Sequence, residues 1–470
     1  MPQQLLKDLL MNVNHEYKQS MDKLKSNYSL DKVEQNFMKL FNDFLGKVIG
    51  ELLQALFADS DIMYALKIWG GKRGLRFKSF RLLRIMLGCG VQVKVMSPYF
   101  ISKNKKRGRK KAGPNGSGAH LGLELLGCTG QFSKVLVSRV GQAALLAPSF
   151  EVASNLLKEW GISRSASSVR YICQLIGKEG LKNRGAISLK GTHEFTGKTM
   201  VISADGGRIR ERKNKRGRRP KGMKQQGYHT EWKEPKLFTI YLLDADGHVV
   251  KAFKPIHDAT MGNHEGMFEL LKKYIDELDI KQLDRIVFTA DGAPWIWQGI
   301  EKRCFEWFEQ RGFPIKDVYQ VLDYTHANQH LNQLLEYVPK AKHQATIANW
   351  RTLLWAGNID GLKDSIALET MRGKKRKDAL NHWKNYFDTN RKRMRYAFFK
   401  EQGLVCGSGC VESAIRRVIN LRLKAPGSFW LKEMAETFLF LRSQLISGRW
   451  EIFMDNLKAL KIKDFKLVRA

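Results

Sequence analysis

Apolar residues recur along this chain with two different periods, and the change between them divides the sequence. Between residues 31 and 57 they return every three or four positions, which predicts a long amphipathic helix. This helix would serve as a core element or as a dimerisation face. Residues 148–178 predict two more helices around the turn Gly161-Ile-Ser163. Their spacing fits either a plain helical hairpin or a helix-turn-helix whose second helix, Ser165 to Ile176, enters a DNA major groove.

From residue 196 the pattern changes to short apolar runs that alternate with helical stretches. Strands are predicted at 198–204, 237–243, 248–253, 285–290 and 318–322. Helices are predicted at 264–278, 293–310, 409–424 and 431–446, and residues 333–400, without a clear strand, predict a helical insertion. Three antiparallel strands followed by strand–helix units indicate an α/β fold with a mixed five-stranded sheet and flanking helices. This order matches the RNase H-like fold.

These segments predict a core that an insertion interrupts and that an all-α DNA-binding region precedes. The linker from Ser102 to Gly118 is rich in lysine, arginine and glycine, which predicts a solvated loop able to lie on phosphates. The predicted regions are a helical N-terminal region (1–100), the basic linker and helix-turn-helix (101–195), the first part of the core (196–332), the helical insertion (333–400), the final part of the core (401–450) and a C-terminal tail (451–470).

The charge balance narrows the class of partner. Lysine plus arginine number 81 against 46 aspartate plus glutamate, which leaves a net charge of +35. Such an excess fits a polyanion such as nucleic acid, because binding releases counterions from the phosphates. Ribosomal, RNA-binding and anionic-membrane proteins share a basic surface, so charge alone indicates only the sign of the partner.

Neither export nor membrane insertion is indicated. The N-terminus lacks a basic segment followed by an apolar one, and no apolar run approaches the roughly 18 residues of a membrane span. The six cysteines include no C-x-x-C pair, so a disulfide framework and a structural zinc site are both poorly supported. The expected setting is a reducing cytoplasm.

Two predicted strands end in nearly the same tetrapeptide, Ser203-Ala-Asp205-Gly206 and Thr289-Ala-Asp291-Gly292. If these strands are neighbours, both carboxylates lie at the carboxyl edge of a sheet, where α/β folds bind ligands. Two carboxylates held close together repel, and a divalent cation relieves the repulsion. A turn-forming aspartate is the alternative for each. The third Ala-Asp-Gly, which contains Asp246, is interpreted as a hairpin turn.

A third carboxylate follows a flexible turn. In Gly407-Ser-Gly-Cys-Val-Glu412 the turn leads directly into a predicted helix. Two glycines beside a serine suit close approach of the backbone to a ligand, which makes Glu412 a candidate metal ligand. The alternative is that Glu412 completes a capping box or interacts with the helix dipole.

Between these carboxylates lies Asp323-Tyr-Thr-His326, where a predicted strand meets a helix, with His330 one turn further on. Asp323 and His326 could hydrogen-bond and orient the site without binding metal themselves. Zinc would need two more ligands than this segment offers. The alternative makes Asp323 a helix N-cap and places His330 on a solvated face.

A basic run from Arg208 to Lys224 follows Asp205 immediately. Such runs are usually solvated faces, but beside a carboxylate cluster this one could hold the phosphates of a DNA strand. Trp295 could stack on an unpaired base, although core packing is expected for it or for Trp297. The residues expected to contact DNA are Arg208, Arg210, Arg212, Lys213, Lys215, Arg216, Arg218, Arg219, Trp295, Arg416, Arg422 and Lys424.

Taken together, these motifs resemble bacterial insertion-sequence transposases with a DDE triad, especially the Mutator-like group. The resemblance is carried, in chain order, by Asp205-Gly206, Asp291-Gly-Ala-Pro-Trp295, Asp323-Tyr-Thr-His326 and Gly407-Ser-Gly-Cys-Val-Glu412-Ser413. The third of these is similar to the D/C-x-x-H signature that the group carries between its second aspartate and its glutamate. The resemblance is strong over residues 196–450 and covers the N-terminal third only in general plan.

This resemblance implies an RNase H-like core with two Mg²⁺ or Mn²⁺ ions, acting on double-stranded element-end and target DNA beside the nucleoid of a prokaryote. It favours Asp205, Asp291 and Glu412 as catalytic metal ligands, with Asp323 and His326 supporting them from outside the ligand shell. Pairing of two element ends implies a homodimer or a larger assembly. The rival interpretations are a structure-selective nuclease, which cleaves without joining, and a non-catalytic DNA-binding regulator descended from a transposase.

Overall fold

The computed structural model describes residues 2–27, 30–103, 118–185, 194–218, 222–223, 227–278 and 280–468. Contacts within the chain define two units. Unit 1 contains residues 1–179 together with 454–470, and unit 2 contains residues 180–453. This division differs from the predicted boundary at 195 and from a separate C-terminal tail. Most of the predicted basic linker, residues 104–117, lies outside the described residues.

Unit 1 begins with three helices, α1 (Pro2–Asn27), α2 (Asp31–Ala58) and α3 (Ser60–Lys72). The second confirms the amphipathic helix predicted at 31–57. Asp59 begins α3, because its side chain accepts a hydrogen bond of 2.9 Å from the N–H of Ile62.

A long antiparallel hairpin follows these helices, formed by β1 (Leu75–Met86) and β2 (Gln92–Ser102). The prediction of an all-α N-terminal region is therefore confirmed for Pro2–Lys72 and wrong for the hairpin. Burial alternates from Leu75 to Arg84 as expected for a half-buried strand, but apolar Phe80 and Leu82 lie on the exposed face, so the sequence itself does not alternate regularly. The two strands pack against α2 and α3.

Four helices complete the first 182 residues: α4 (Leu121–Leu125), α5 (Lys134–Leu146), α6 (Phe150–Glu159) and α7 (Ala166–Lys182). The last two confirm the helix pair predicted at 148–178. Between them Gly161 has a φ of +75°, a left-handed conformation that glycine adopts readily. Exposed polar side chains of α7 recur at three- and four-residue steps, at Ser167, Arg170, Gln174, Lys178 and Lys182.

Among its described residues unit 2 contains seven strands, which are β3 (Thr199–Gly206), β4 (Ile209–Asn214), β5 (Tyr228–Lys233), β6 (Lys236–Leu243), β7 (Ile256–Thr260), β8 (Arg285–Ala290) and β9 (Val318–Leu322). Five of them form a sheet in the order β7-β6-β3-β8-β9. The pairs β7–β6 and β6–β3 are antiparallel, and the pairs β3–β8 and β8–β9 are parallel. The predicted mixed five-stranded sheet is confirmed. The strands β4 and β5 form a separate antiparallel ribbon, which was not predicted.

The strand predicted at 248–253 is wrong. Within that segment only Val249 bridges to Leu243, and the chain then turns before Pro255, which has no N–H to give to a sheet. The third antiparallel strand is β7 instead. The hairpin turn predicted around Asp246 is confirmed, because Gly247 has a φ of +79° and the side chain of Asp244 accepts backbone hydrogen bonds within the turn.

The remaining helices are α8 (His264–Asp276), α9 (Pro294–Arg303), α10 (Phe305–Gln310), α11 (Tyr324–Leu334), α12 (His343–Trp355), α13 (Ile359–Glu369), α14 (Lys374–Trp383), α15 (Tyr396–Glu401), α16 (Gly409–Ala414), α17 (Lys432–Ile446) and α18 (Trp450–Ile462). Residues 333–400 contain no strand, as predicted. The helix predicted at 409–424 is shorter, because α16 passes into a π-helical turn at Ile415–Asn420. No helix in the described part of the chain has both the length and the apolar character to cross a lipid bilayer.

Apolar side chains cover both faces of the five-stranded sheet. One face packs into a large cluster that includes Phe238 and Phe288 and extends into the helical insertion. The other face contributes Val201 and Val287 to a smaller cluster with Phe399. Burial on both faces leaves the ends of the strands as the places where polar chemistry can occur.

Candidate active site

Three adjacent parallel strands each deliver an aspartate to the same edge of the sheet. Asp205 is at the end of β3, Asp291 directly follows β8, and Asp323 directly follows β9. Ser203 lies opposite Thr289 in the parallel register, and their hydroxyl oxygens share a hydrogen bond of 2.5 Å. The prediction that the strands carrying Asp205 and Asp291 are neighbours is therefore confirmed, and both residues lie at the carboxyl edge.

Backbone donors orient the first two carboxylates. Asp205 Oδ1 accepts a hydrogen bond of 2.6 Å from the N–H of Gly206, and Asp291 Oδ1 accepts one of 2.9 Å from the N–H of Ala293. The indole of Trp297 donates to the carbonyl oxygen of Asp291 (2.8 Å), which fixes the loop after β8. Among the described residues no protein donor occupies Oδ2 of either aspartate, so one oxygen of each remains available to a ligand.

Glu412 reaches this edge on α16, which packs against β3 and β6. Its side chain is 51% exposed. The capping-box alternative is not supported, because Ser408 Oγ accepts no helical N–H and instead donates a hydrogen bond of 2.5 Å to Asp323 Oδ2. The turn before α16 is thus bonded to the end of β9 rather than to the helix that it begins.

Asp323 is the most deeply buried carboxylate of this group, with 1% of the residue exposed. Its Oδ1 accepts a hydrogen bond of 3.0 Å from the N–H of His326, so Asp323 is the N-cap of α11, as the alternative interpretation of this residue had it. Its Oδ2 accepts hydrogen bonds from both the N–H and the hydroxyl of Ser408. Burial alone would raise the pKa of Asp323, but the hydrogen bonds from His326 and Ser408 outweigh it and hold the pKa below its usual range.

The imidazole of His326 lies between Asp323 and Glu412. Its Nδ1 is 3.6 Å from Asp323 Oδ1 and 3.9 Å from Glu412 Oε1. Both distances are longer than a good hydrogen bond, and this buried nitrogen has no bonding partner among the described residues. The Asp323 carboxylate raises the pKa of His326 against the effect of burial, and the charges of Asp291 and Glu412 act in the same direction.

Ligand atoms of Asp323, His326 and Glu412 lie within 4.8 Å of one another. The ligand atoms of Asp205, Asp291 and Glu412 do not form a group this tight, although the charges of Asp291 and Glu412 act on Asp205. To bind an ion, however, Asp323 would have to exchange hydrogen bonds that occupy both of its oxygens. Asp205 and Asp291 each have a free oxygen, and carboxylate oxygens are the ligands that Mg²⁺ prefers. Asp323, His326 and Glu412 thus lie close enough to share an ion, whereas Asp205 and Asp291 have the carboxylate oxygens that are free to bind one.

The electrostatics of Asp205 lead to a prediction for the metal-free protein. Burial, together with the charges of Asp291 and Glu412, raises the pKa of Asp205 to about 6, although the Gly206 N–H and His326 oppose the shift. The folded state therefore holds this proton more tightly than the unfolded state, so the stabilisation is complete at low pH and is lost as the pH rises through 6. At pH 8, Asp205→Asn should raise the free energy of unfolding by about 1–2 kcal/mol.

Urea unfolding in EDTA, compared at pH 8 and pH 5, measures this difference. The gain should be largest at pH 8 and should shrink at pH 5. Asp246→Asn is the matched control, because it makes the same chemical change in an exposed turn. Equal stability of Asp205→Asn and the unmodified protein at pH 8 would contradict the assigned charge repulsion.

The helical insertion adds aromatic residues to this site that the sequence did not predict. The Tyr386 ring stacks on His330 with ring centroids 3.5 Å apart, and His330 Nδ1 shares a hydrogen bond of 2.8 Å with His382 Nε2. Burial and the charges of Asp291 and Asp323 raise the pKa of Tyr386. The alternative interpretation that placed His330 on a solvated face is not supported, because His330 is half-buried and stacked on Tyr386. Burial lowers the pKa of His330 to about 4. No local signal marks these contacts, because distant parts of the sequence form them.

Most of the residues predicted to contact DNA remain accessible. The exposed ones are Arg208, Lys213, Lys215, Arg216, Arg218, Arg416 and Lys424, and the half-buried ones are Arg210, Arg212 and Trp295. Arg422 is a wrong assignment, because it is 3% exposed and its guanidinium packs 5.0 Å from the ring centroid of Trp430. Arg219 lies outside the described residues. Trp297 is buried, in line with the expectation that one tryptophan after Asp291 belongs to the core.

Comparison with known proteins found no match: the chain matches no protein-family model, and no curated protein is detectably similar to it in sequence.

Proposed function

We propose that this chain is a DNA transposase with an RNase H-like core, which cleaves the ends of an insertion sequence and joins them to target DNA. The observation that carries the proposal is the convergence of Asp205, Asp291 and Glu412, whose mutual charge contributes to the raised pKa of Asp205. Such a cluster is unfavourable by itself, and binding of divalent cations gives a reason for it. The sheet order, antiparallel for three strands and then parallel, and the net charge of +35 support the proposal.

In this mechanism Asp205, Asp291 and Glu412 would hold two divalent cations. When bound, the ions would supply activation of the attacking oxygen and stabilisation of the leaving oxygen. The site first orients water, whose oxygen bonds to phosphorus while the bond to the 3′ oxygen breaks. It then orients the freed 3′-hydroxyl toward a target phosphodiester, which exchanges one P–O bond for another. Asp323 and His326 position Glu412 through the Ser408 turn and the imidazole.

Recognition of the element ends is assigned to α6 and α7. The exposed face of α7 carries Arg170 and Gln174, side chains that can bond bidentately to guanine and adenine edges in a major groove. The accessible lysines and arginines of unit 2 would hold phosphates without regard to sequence. Recognition of the DNA base sequence and binding of the DNA phosphates are thus assigned to different surfaces.

The direct test incubates the purified full chain with labelled DNA from both flanks of its coding sequence, a supercoiled target plasmid and Mg²⁺ or Mn²⁺. We expect nicks at the ends of a terminal repeat and covalent joining of those ends to the plasmid. Ca²⁺ in place of Mg²⁺ is the control that should permit binding without cleavage. Cleavage without joining would favour the nuclease, and binding without cleavage in any metal would favour the regulator.

A further inference from the structure

Six side chains on the β4–β5 ribbon and the segment beside it form one continuous stack. We call this stack the arginine–aromatic ladder, and its members in order are Arg208, Trp232, Arg210, Phe429, Tyr228 and Arg212. The distances between successive members, from guanidinium carbon to ring centroid or between ring centroids, are 4.8, 5.0, 5.5, 5.9 and 4.4 Å. These are stacking distances for guanidinium and aromatic groups.

Backbone hydrogen bonds hold the ladder in place. In the ribbon Arg210 lies opposite Trp232, so the two side chains share a face. The N–H of Arg212 donates to the carbonyl of Trp430 (2.7 Å), and the N–H of Trp430 donates to the carbonyl of Arg210 (3.0 Å). Trp430 therefore forms a single parallel bridge to β4 at Glu211, which holds the neighbouring Phe429 beside the ribbon.

The ladder face and the opposite face of the ribbon differ in charge. On the opposite face the charges are paired, because Glu231 forms ion pairs with both Lys213 and Lys233. On the ladder face, no carboxylate forms an ion pair with any of the three arginines among the described residues, and Arg212 Nε has no hydrogen-bond partner. This face is therefore positively charged and available to an anion.

The rings of the ladder are accessible as well as the cations. Trp232 is 46% exposed, Tyr228 42% and Phe429 36%. Large aromatic rings left this exposed in alternation with arginines are typical of surfaces on which unpaired bases stack. A duplex hides the faces of its bases, so its binding needs the arginines and gains little from the rings.

The position of the ladder connects it to the candidate site. Arg208 is three residues beyond Asp205, which is the last residue but one of β3. Phe429 lies on the segment that follows α16 and the π-helical turn Ile415–Asn420. Two of the segments that carry the ladder thus come after candidate carboxylates in the chain.

From these observations we propose that the arginine–aromatic ladder binds an unpaired DNA strand next to the bond that is cut. The inference rests on the proposed function for the identity of the nucleic acid. Bases of a frayed end stack among the rings and guanidinium planes, while the arginine N–H groups contact phosphates. Opening of the duplex at the cleavage point would supply this strand, and the ladder would keep it from re-pairing.

Binding in Ca²⁺ separates this proposal from catalysis. The full chain is titrated into a fluorescent 12-nucleotide thymidine strand and, separately, into a 12-base-pair duplex. The double variant Trp232→Leu/Tyr228→Leu should weaken single-strand binding about 10- to 100-fold, as expected for the loss of one or two stacked bases, and change duplex binding less than about threefold. Trp232→Phe/Tyr228→Phe, which keeps two rings, should restore most of the affinity.

Lys213→Gln/Lys233→Gln is the matched control, since it alters the opposite face of the same ribbon. It should weaken single-strand and duplex binding by similar, small factors. An equal loss of both affinities in the leucine variant would indicate a duplex clamp and overturn the proposal, as would no loss of either. If the unmodified chain cleaves no DNA in Mg²⁺ while the leucine variant still loses single-strand affinity, the proposed function fails and the ladder stands.

Discussion

Asp205→Asn, Asp291→Asn and Glu412→Gln should each reduce DNA cleavage by at least about 10³-fold, because in the proposed mechanism each removes a charge that holds a catalytic cation. Binding to DNA should be retained, since none of the three belongs to the basic surface. The amide variants nearly preserve the size of each side chain, which limits disturbance of the fold. Initial rates of nicking in Mg²⁺, measured beside affinities in Ca²⁺, test both expectations.

Asp246→Asn is a closely matched control for these variants. Asp246 belongs to the same Ala-Asp-Gly tripeptide as Asp205 and Asp291 but lies in an exposed turn between β6 and the following segment. Its variant should cleave at the normal rate. Normal cleavage by Glu412→Gln would instead remove Glu412 from the metal site and return Asp323 to consideration as the third ligand.

Asp323→Asn and His326→Ala should both slow cleavage, but for different reasons. An amide at 323 cannot accept every hydrogen bond that the carboxylate now accepts, so a buried donor of Ser408 would lose its partner. This should cost about 2–3 kcal/mol of unfolding free energy and displace the turn before Glu412. His326→Ala should preserve stability better and slow cleavage about 10- to 100-fold, the range typical of residues that orient metal ligands.

A metal titration distinguishes these roles from direct ligation. Raising the Mn²⁺ concentration should recover part of the rate of His326→Ala and of Asp323→Asn, and none of the rate of Asp291→Asn. Ser408→Ala, which removes one of the two Ser408 donors to Asp323, should show a smaller loss than Asp323→Asn. If Asp323→Asn is fully stable and as inactive as Asp291→Asn at every concentration, then Asp323 is itself a metal ligand.

The parts of this site that the sequence predicted are those with local signals. Asp205 and Asp291 each end an apolar strand within a repeated tetrapeptide, so their placement at one edge followed once the strands were neighbours. The N-cap of Asp323 is also local, because its donor is only three residues away.

The parts that the sequence did not predict depend on contacts between distant segments. Ser408 bonds to Asp323 across 85 positions, and the partner of His330 lies 52 positions away. The β1–β2 hairpin was not predicted because apolar Phe80 and Leu82 lie on the exposed face of β1, so its apolar residues do not alternate regularly along the sequence. The third antiparallel strand is β7 rather than residues 248–253, because β7 is the segment whose backbone pairs with β6. The apolar character of a segment does not specify which strand it pairs with.

The division into units has a consequence for the order in which the protein is made. Unit 1 combines residues 1–179 with 454–470, so the whole of unit 2 is synthesised between its two parts. The late part contributes real contacts, including an ion pair from Asp455 to Lys134 and an edge-to-face contact between Phe465 and Trp69. A chain that is truncated before Met454 therefore lacks the part of α18 that belongs to unit 1. Domains generally fold as units during synthesis. Unit 1, which contains α6 and most of α7, is complete only after residues 454–470 are made, and by then all the carboxylates of unit 2 have been synthesised. Under the proposed function, this layout of the chain disfavours truncated products that bind DNA through α6 and α7 but lack part of the proposed catalytic site.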